Sequence, residues 1–270
     1  MEIREKKALV LGGGKGIGRD IGFFLADQGA TVAMTYHDDW PDESAAMCRQ
    51  LEALGGSHLA VKVDLRAPDQ IQTLLRNIEA SFGELHILIN NIERGGMPVV
   101  HGQYVPEQWT MELETTLMAK RWVFHHALPL LKKSGGSVIN ISSIAGVVGR
   151  SGPAGMIFND GYSAANRAIS LLTETWAREG APKVRVNELM LGFFAGRHAE
   201  GTRGWGMLDR VQQQAIIDHT LLERTGNRED VLQAIRFLLF NADFMTGSTL
   251  KLDGGYTLGA DRVPPMPEGV

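Results

Sequence analysis

Short apolar runs alternate with longer amphipathic segments along this chain. The apolar runs are rich in β-branched residues and predict strands at 8–11, 31–35, 58–63, 87–89, 137–141, 185–189 and 249–252. Between them, apolar positions with helical spacing predict helices at 16–28, 42–54, 68–82, 106–132, 161–180 and 228–240. Because nearly continuous apolar strands alternate with helices, the pattern predicts an α/β fold with a doubly wound, Rossmann-type parallel sheet in a single domain, residues 1–270.

The segment 193–225 interrupts this alternation before the last predicted strand. Two interpretations stay open at this point: a helical excursion on the surface, or a lid over a substrate site. Trp205 within the segment would either cover a substrate or pack against a partner subunit. We take 193–225 as the predicted substrate lid.

Composition and charge exclude several classes of function. The net charge of −4 comes without a long basic stretch, which argues against nucleic-acid binding. No apolar run approaches the roughly 18 residues that a membrane-spanning helix needs. The single cysteine, Cys48, has no partner for a disulfide or a zinc site, and the histidines lack the spacing of a metal site. These features predict a cytoplasmic protein without a metal.

Glycine is unusually frequent, with 32 residues in 270, and several glycines fall between the first predicted strand and helix, in the run Gly12-Gly13-Gly14-Lys15-Gly16-Ile17-Gly18. A turn of this kind lets the backbone approach a pyrophosphate, which then lies at the positive end of the helix. A purely structural turn would use the same residue type. The position of the run in a βαβ unit favours a dinucleotide cofactor.

Further motifs follow at the ends of the later predicted strands: Asp64-Leu65, Asn90-Asn91, Ser142-Ser143, then Tyr162, Val186-Asn187 with Gly192-Phe193, and finally Thr246-Gly247 with Asp253-Gly254-Gly255. In this order the chain resembles the short-chain dehydrogenases/reductases. It resembles their TGxxxGxG turn, their NNAG, VNxxxPG and TGxxxxxDGG motifs, and their serine and tyrosine. The resemblance covers about residues 6 to 257.

The resemblance implies the roles of particular residues. Ser143 would orient the oxygen of the substrate, and Tyr162 would exchange a proton with it. It further implies a small-molecule substrate and a homo-oligomer, a dimer or tetramer, that pairs through its fourth and fifth main helices. The cofactor contacts that it implies are Gly12, Gly14, Lys15, Gly16, Ile17, Gly18, His37, Asp64, Leu65, Asn91, Gly192 and Phe194.

The chain departs from the family pattern where the chemistry takes place. The family's lysine follows the tyrosine by one helical turn, but this chain has Asn166 there, and Thr116 stands near the position of the family's asparagine. The chain between Ser143 and Tyr162 is also longer than is typical, which implies an insertion within 148–161. Asn166 would hydrogen-bond the nicotinamide ribose without supplying a charge. A neutral tyrosine can still donate a proton to a carbonyl, so we predict reduction as the reaction.

The choice of cofactor depends on the end of the second predicted strand. An acidic residue at the position of Tyr36 would bind the adenosine ribose of NAD and repel the 2′-phosphate of NADP. Tyr36 is uncharged, and Lys15 and His37 would meet that phosphate, whereas Asp38 and Asp39 oppose it. The sequence therefore favours NADP(H) over NAD(H).

Together these features predict an NADP(H)-dependent oxidoreductase that reduces a carbonyl group on a small or medium organic molecule. Two alternatives stay open. One is a protein that binds the cofactor without redox activity, as a sensor or structural partner. The other is a lyase or isomerase on the same fold that transfers no net hydride.

Overall fold

A parallel sheet of seven strands forms the centre of the molecule in the computed structural model, which describes residues 3–92, 106–194, 205–261 and 266. Neighbouring strands pair in the order 3-2-1-4-5-6-7, and every pairing is parallel. The doubly wound fold class is therefore confirmed. The strands are β1 (Lys7–Val10), β2 (Thr31–Tyr36), β3 (Leu59–Lys62), β4 (Ile87–Asn90), β5 (Ser137–Ser143), β6 (Arg185–Leu191) and β7 (Thr249–Leu252).

Helices connect these strands, and all six predicted helices are present with bounds that shift by one or two residues. The helices are α1 (Gly16–Asp27), α2 (Pro41–Ala53), α3 (Pro68–Phe82), α4 (Pro106–Glu112), α5 (Ala119–Ser134), α6 (Ala145–Val148), α7 (Asp160–Gly180), α8 (Arg210–His219) and α9 (Arg228–Phe240). The helix predicted at 106–132 is interrupted by a π-helical segment, Leu113–Met118, between α4 and α5. The helices α6 and α8 and a 3-10 turn at Gly152–Met156 were not predicted, because each is too short to give a clear period.

Alternating side chains of the strands enter two apolar layers on opposite faces of the sheet. Leu9 and Leu88 lie in one layer with apolar residues of α3, α5 and α7. Val10 and Ile89 lie in the other with apolar residues of α1, α2 and α9. This alternation has the period of two that a strand imposes, and burial on both faces explains the nearly continuous apolar runs in the sequence.

A third apolar cluster lies beyond the carboxyl ends of β5 and β6. It contains residues of α6, of the 3-10 turn, of α7 and of α8, including Phe158, Tyr162, Phe193 and Tyr256. In open parallel sheets, ligands bind outside the carboxyl ends of the strands. The cluster therefore stands where a substrate would be expected. No helix in the described ranges is both long and apolar enough to cross a bilayer.

Candidate active site

The glycine-rich turn between β1 and α1 can be formed only by glycine at its tightest point. Gly12 and Gly16 have positive φ angles of 65° and 59°. A Cβ atom on Gly18 would lie 2.2 Å from the carbonyl oxygen of Gly12, whereas a Cβ atom on Gly16 would meet nothing within 4 Å. Lys15, the N-cap residue of α1, makes no capping hydrogen bond with its side chain. An open helix start beside a glycine turn fits the pyrophosphate of a dinucleotide.

Two neighbouring strands hold this turn in place. The Asn91 side chain, which follows β4, donates to the carbonyl oxygens of Leu11 at 3.3 Å and Gly12 at 3.4 Å. From β2, the Thr35 hydroxyl accepts a hydrogen bond from the Gly12 N–H at 3.1 Å. Asn91 thus lies at the predicted cofactor end, where it fixes the glycine turn. Thr35 was missed, although a polar residue near the end of an otherwise buried strand was a usable signal.

The side chains proposed to select the cofactor lie after β2 and at the start of α1. The Lys15 ammonium lies 3.4 Å from the centre of the Trp40 ring, a cation–π contact, and 3.8 Å from the Glu43 carboxylate. His37 lies 3.6 Å from Asp39, within reach of an ion pair when its imidazole is protonated. The Lys15 ammonium is therefore oriented by an aromatic ring and an acid.

The acidic residues near this end have basic partners. Lys62 lies 2.8 Å from Asp38, and Arg66 binds both oxygens of Asp64 at 2.7 and 3.0 Å. The hydrogen bond from the Arg66 side chain lowers the pKa of Asp64. Leu65 is buried in one apolar layer, and Ile17 is partly buried against the other.

Ser143 and Tyr162, the predicted catalytic pair, lie together and are almost completely buried. Ser143 is the last residue of β5, and its hydroxyl accepts from the Ala145 N–H at the start of α6. Tyr162 lies in the first turn of α7, which Asn159 caps by accepting from the Tyr162 N–H at 2.7 Å. Burial raises the pKa of the Tyr162 phenol, and its hydrogen bond with Ser143 opposes that rise. The phenol therefore keeps its proton at neutral pH.

Asn166, predicted to stand at the position of the family's lysine, joins α7 to the end of β5. Its Oδ1 atom accepts from the Ser143 N–H at 2.9 Å, and its Nδ2 atom donates to the Tyr162 carbonyl oxygen at 3.0 Å. The side chain is fully buried. Each end of the amide thus binds the protein's own backbone, and a further hydrogen bond between the Asn166 and Tyr162 side chains lowers the pKa of Tyr162. The predicted contact with ribose stays a prediction.

Three polar residues from the end of α4 to the start of α5 are buried: Thr116, which the sequence placed near the position of the family's asparagine, and Glu112 and Lys120, which it did not single out. The Glu112 carboxylate accepts from Asn159 at 3.2 Å and raises the pKa of Tyr162. Thr116, in the π-helical segment, has a buried hydroxyl without a hydrogen-bond partner among the described residues. Their spacing of four residues places polar groups on one side of a helix, and this was the signal in the sequence.

Aromatic rings form a packed cluster with Tyr162. The rings of Phe158 and Phe193 stack with centroids 5.6 Å apart, and Phe158 lies 5.8 Å from the ring of Tyr162. The sequence predicted that Trp205 would either cover a substrate or pack against a partner subunit. Its ring centroid lies 6.2 Å from that of Phe193. The Tyr256 hydroxyl accepts from the Ala154 N–H at 2.7 Å, so it fixes the 3-10 turn within the inserted stretch. The site is thus lined by large apolar surfaces.

The remaining predicted cofactor residues lie after β6. A Cβ atom on Gly192 would lie 2.7 Å from the Cα atom of Asp253, so the two turns touch through backbone. Phe194 pairs with Gly226 in an isolated bridge, and its side chain packs in the apolar layer of α1, α2 and α9. Only the backbone of Phe194 is left to reach a cofactor. Within the predicted lid 193–225, residues 195–204 lie outside the described residues.

Known proteins resemble this chain over nearly its whole length. A family model described as enoyl-(acyl carrier protein) reductase matches residues 12–257. A 3-oxoacyl-(acyl-carrier-protein) reductase, FabG, from Staphylococcus aureus (strain Mu50 / ATCC 700699) is 28% identical over 255 residues, which are 93% of this chain and 97% of that protein. A cyclohexanol dehydrogenase from Acinetobacter sp. (strain SE19) is 29% identical over 260 residues, 95% of this chain and 96% of that one.

Solved structures share the fold. A protein of Sinorhizobium meliloti 1021 assigned to the short-chain alcohol dehydrogenases superposes with a TM-score of 0.82 at 24% identity, over 96% of this chain and 100% of that chain. The ligand-free aldohexose dehydrogenase of Thermoplasma acidophilum gives a TM-score of 0.76 at 22% identity, over 98% of each chain. Since the family model spans most of the sequence and the fold agrees, this chain belongs to the short-chain dehydrogenase/reductase family of oxidoreductases.

Proposed function

We propose that this protein is an NADP(H)-dependent oxidoreductase that reduces a carbonyl group on a small or medium organic molecule. The observation that carries the proposal is the buried pair of Ser143 and Tyr162, with a phenol whose pKa is raised so that it holds its proton. A group that gives up a proton must carry it at the working pH. Tyr162 meets that requirement across the neutral range.

The chain's own residues orient the reaction. Ser143 would hold the carbonyl oxygen, and Tyr162 would donate its proton to that oxygen as it gains negative charge. A bound nicotinamide would supply the hydride to the carbonyl carbon, which gives an alcohol and the oxidised cofactor. Tyr162 would then regain from water the proton that it gave up. Asn166 fixes the distance between serine and tyrosine, because it binds the backbone of both.

Two features support NADP(H) as the cofactor. The glycine turn and the open start of α1 fit a pyrophosphate, and Lys15 would meet a 2′-phosphate on the adenosine ribose. Asp38 and Asp39, which oppose this choice, each lie within 4.0 Å of a basic residue. The test is a competition between NADPH and NADH. Lys15→Met should weaken the binding of NADPH more than the binding of NADH. Equal losses of affinity for the two cofactors would contradict the assignment.

The aromatic lining supports an apolar substrate. Phe158 and Phe193 are buried and stacked on each other, with Phe158 beside Tyr162 and Trp205 beside Phe193. Such an apolar cluster next to the proton donor would favour an aliphatic, alicyclic or aromatic ketone over a polar one. Similar proteins act on an acyl-carrier-bound oxoacyl group and on cyclohexanol. A panel of cyclic and aromatic ketones, β-ketoacyl thioesters and polar keto sugars would separate these classes.

The decisive experiment follows NADPH oxidation with this panel. Tyr162→Phe should lower the turnover of an accepted ketone by about 10²–10⁴-fold while NADPH affinity stays unchanged, since only the proton donor is lost. Ser143→Ala should cause a smaller loss, and Ser151→Ala, an exposed serine of the neighbouring turn, should cause none. If NADPH binds and no carbonyl compound is reduced, the proposal is wrong.

A cofactor-binding protein without redox activity is the second candidate. It is favoured by Asn166, because an uncharged amide then stands where the family has a cation, and this amide hydrogen-bonds the backbone of Ser143 and Tyr162. If the wild-type protein binds NADPH but reduces no carbonyl compound, the variant Asn166→Lys separates the two candidates. Carbonyl reduction by the variant would show that the scaffold is an oxidoreductase that has lost its cation. An inactive variant that still binds NADPH would support the binding role.

We also propose a homo-oligomer and a substrate lid in 193–225. On α7, Ile169 and Trp176 are fully buried in the core, whereas Leu171 is 65% exposed, and Trp122 on α5 is partly exposed. These exposed apolar side chains lie on the two helices through which relatives commonly pair. Light scattering should give a dimer or tetramer, and Leu171→Glu should dissociate it. A monomeric wild-type protein would contradict this proposal.

A further inference from the structure

Lys120, on α5, is a fully buried lysine whose side chain reaches β5, the strand that ends at Ser143. Its ammonium donates to the carbonyl oxygen of Ile141 in β5 at 2.6 Å. Burying an ammonium group costs hydration energy, so a lysine is retained in such a place only where acceptors or anions hold it. No step of the proposed reduction uses this amine.

The ammonium binds the edge of β5 beyond the end of its pairing with β4. That pairing ends at Asn90 opposite Asn140, and among the described residues no strand pairs with the next residues of β5 on that side. In a strand, the carbonyl of one residue and the N–H two residues later point to the same edge. The Lys120 ammonium donates to the carbonyl oxygen of Ile141, and the Asn166 side chain accepts from the N–H of Ser143. Side chains from α5 and α7 thus bind adjacent backbone groups at the catalytic end of β5.

In the described part of the chain, the charged group that influences the pKa of this amine is Glu188 on β6, which raises it. Glu188 is fully buried and accepts hydrogen bonds from the hydroxyls of Ser142, Ser170 and Thr249. From β4 and α7 the neighbouring polar groups are the neutral amides Asn90 and Asn166. Burial lowers the pKa of Lys120 to about 7, against the opposing effect of Glu188. The amine therefore gains or loses its proton close to neutral pH.

We propose that Lys120 is a cationic positioning residue of the catalytic site, which supplies from α5 the positive charge that α7 lacks at position 166. The inference rests on the proposed function. When Tyr162 gives its proton to the substrate, its oxygen becomes negative inside a buried site. A nearby ammonium in a medium of low polarity stabilises that charge. Lys120 keeps its own proton and touches neither substrate nor cofactor in this role.

The wild-type pH profile tests the proposal without any substitution. The protonated amine is the form that supports reduction, so kcat/KM for an accepted ketone should be high near pH 6 and fall as the pH rises through about 7. NMR of lysine labelled with ¹⁵N at Nζ should show one amine titrating over the same range. A profile that is flat between about pH 6 and 9 would overturn the proposal, because the phenol alone predicts no change there.

Lys120→Met separates charge from packing. Near pH 6 the variant should lose at least about tenfold in kcat/KM, and near pH 9, where the wild-type amine is neutral, the two proteins should converge. If the role of Lys120 were purely structural, the ratio of kcat/KM between variant and wild type would be the same at every pH. That result would contradict the proposal. The matched control is Lys132→Met, an exposed lysine on the same helix, which should match the wild type throughout.

Returning a cation to α7 completes the test. In the double variant Lys120→Met with Asn166→Lys, the rate near pH 6 should recover at least in part. If the wild-type protein reduces ketones but the profiles of wild type and Lys120→Met stay parallel, the role of Lys120 is wrong and the proposed function stands. If the wild type binds NADPH and reduces nothing, both are wrong.

Discussion

The two functional ends that we propose for this sheet, a cofactor end and a catalytic end, are built by different means. At the cofactor end, beside β1, β2 and β4, the chain offers backbone N–H groups, glycines and a free helix start. At the catalytic end, beside β5 and β6, it places ionisable side chains in the interior, among them Glu112, Lys120 and Glu188. The first end depends on how closely the backbone can approach a ligand. The second depends on electrostatics in a medium from which water is excluded.

This difference decides how each end should respond to change. At the cofactor end, added volume at the tightest glycine should disturb the site most, because the backbone itself fills the space around Gly18. A site of buried ionisable groups tolerates changes of similar volume, but its behaviour follows their protonation.

Gly18→Ala should give the largest effect, and it should be confined to the cofactor end. The new Cβ atom would lie 2.2 Å from the Gly12 carbonyl oxygen, so the turn must open. We expect NADPH affinity to fall at least about 100-fold and the stability to drop by about 1–3 kcal/mol, as overpacking does. Calorimetry of NADPH binding measures the first effect, and urea unfolding measures the second.

The control for Gly18→Ala is Gly206→Ala. Gly206 lies in the 3-10 turn at Trp205–Met207, where a Cβ atom would meet nothing within 4 Å. This variant should keep wild-type affinity for NADPH. If both variants bind NADPH as tightly as the wild type, the glycine turn is not the phosphate site.

Lys120→Met should change stability as a function of pH, independently of catalysis. The folded protein releases the Lys120 proton near pH 7, but the unfolded chain keeps it until about 10.4. Between these values the unfolded state binds more protons, so the wild type gains stability with rising pH by about 1.4 kcal/mol per unit relative to the variant. Urea unfolding at about pH 8 and 9.5 measures this difference. Parallel stability curves would show that the amine does not titrate as the structure indicates, and Lys132→Met should give such parallel curves.

The fold was predictable because its signals are local. The strands and helices follow from runs of apolar residues, and the helix at 228–240 was predicted with its observed bounds. Its amino end carries a capping box formed by Asn227 and Asp230, and such boxes lie within four residues of sequence. The glycine turn was predictable for the same reason.

The catalytic end was predictable only in part, because its partners lie far apart in the chain. Ser143 and Tyr162 were found through a resemblance, but the contacts of Lys120 with Ile141 and of Glu112 with Asn159 join different elements. No local pattern records which buried acceptor a lysine will meet. The π-helical segment adds to the difficulty, since it changes the spacing that places Glu112, Thr116 and Lys120 on one side.

Glu112→Gln should give the smallest effect, and it tests whether a buried acid also tunes the catalytic end. The Glu112 carboxyl raises the pKa of Tyr162, and the amide of glutamine keeps an acceptor for Asn159 without the charge. The pKa of Tyr162 should therefore fall, and kcat/KM for reduction should begin to decline at a lower alkaline pH than in the wild type, because the phenol loses its proton earlier. Near neutral pH the rate should change by less than about threefold, since the phenol is protonated in both proteins. Glu107→Gln, at an exposed position on the same helix, is the control and should leave the profile unchanged. An alkaline decline that does not move in Glu112→Gln would mean that burial alone holds the proton on Tyr162, and that the acid serves only to position Asn159.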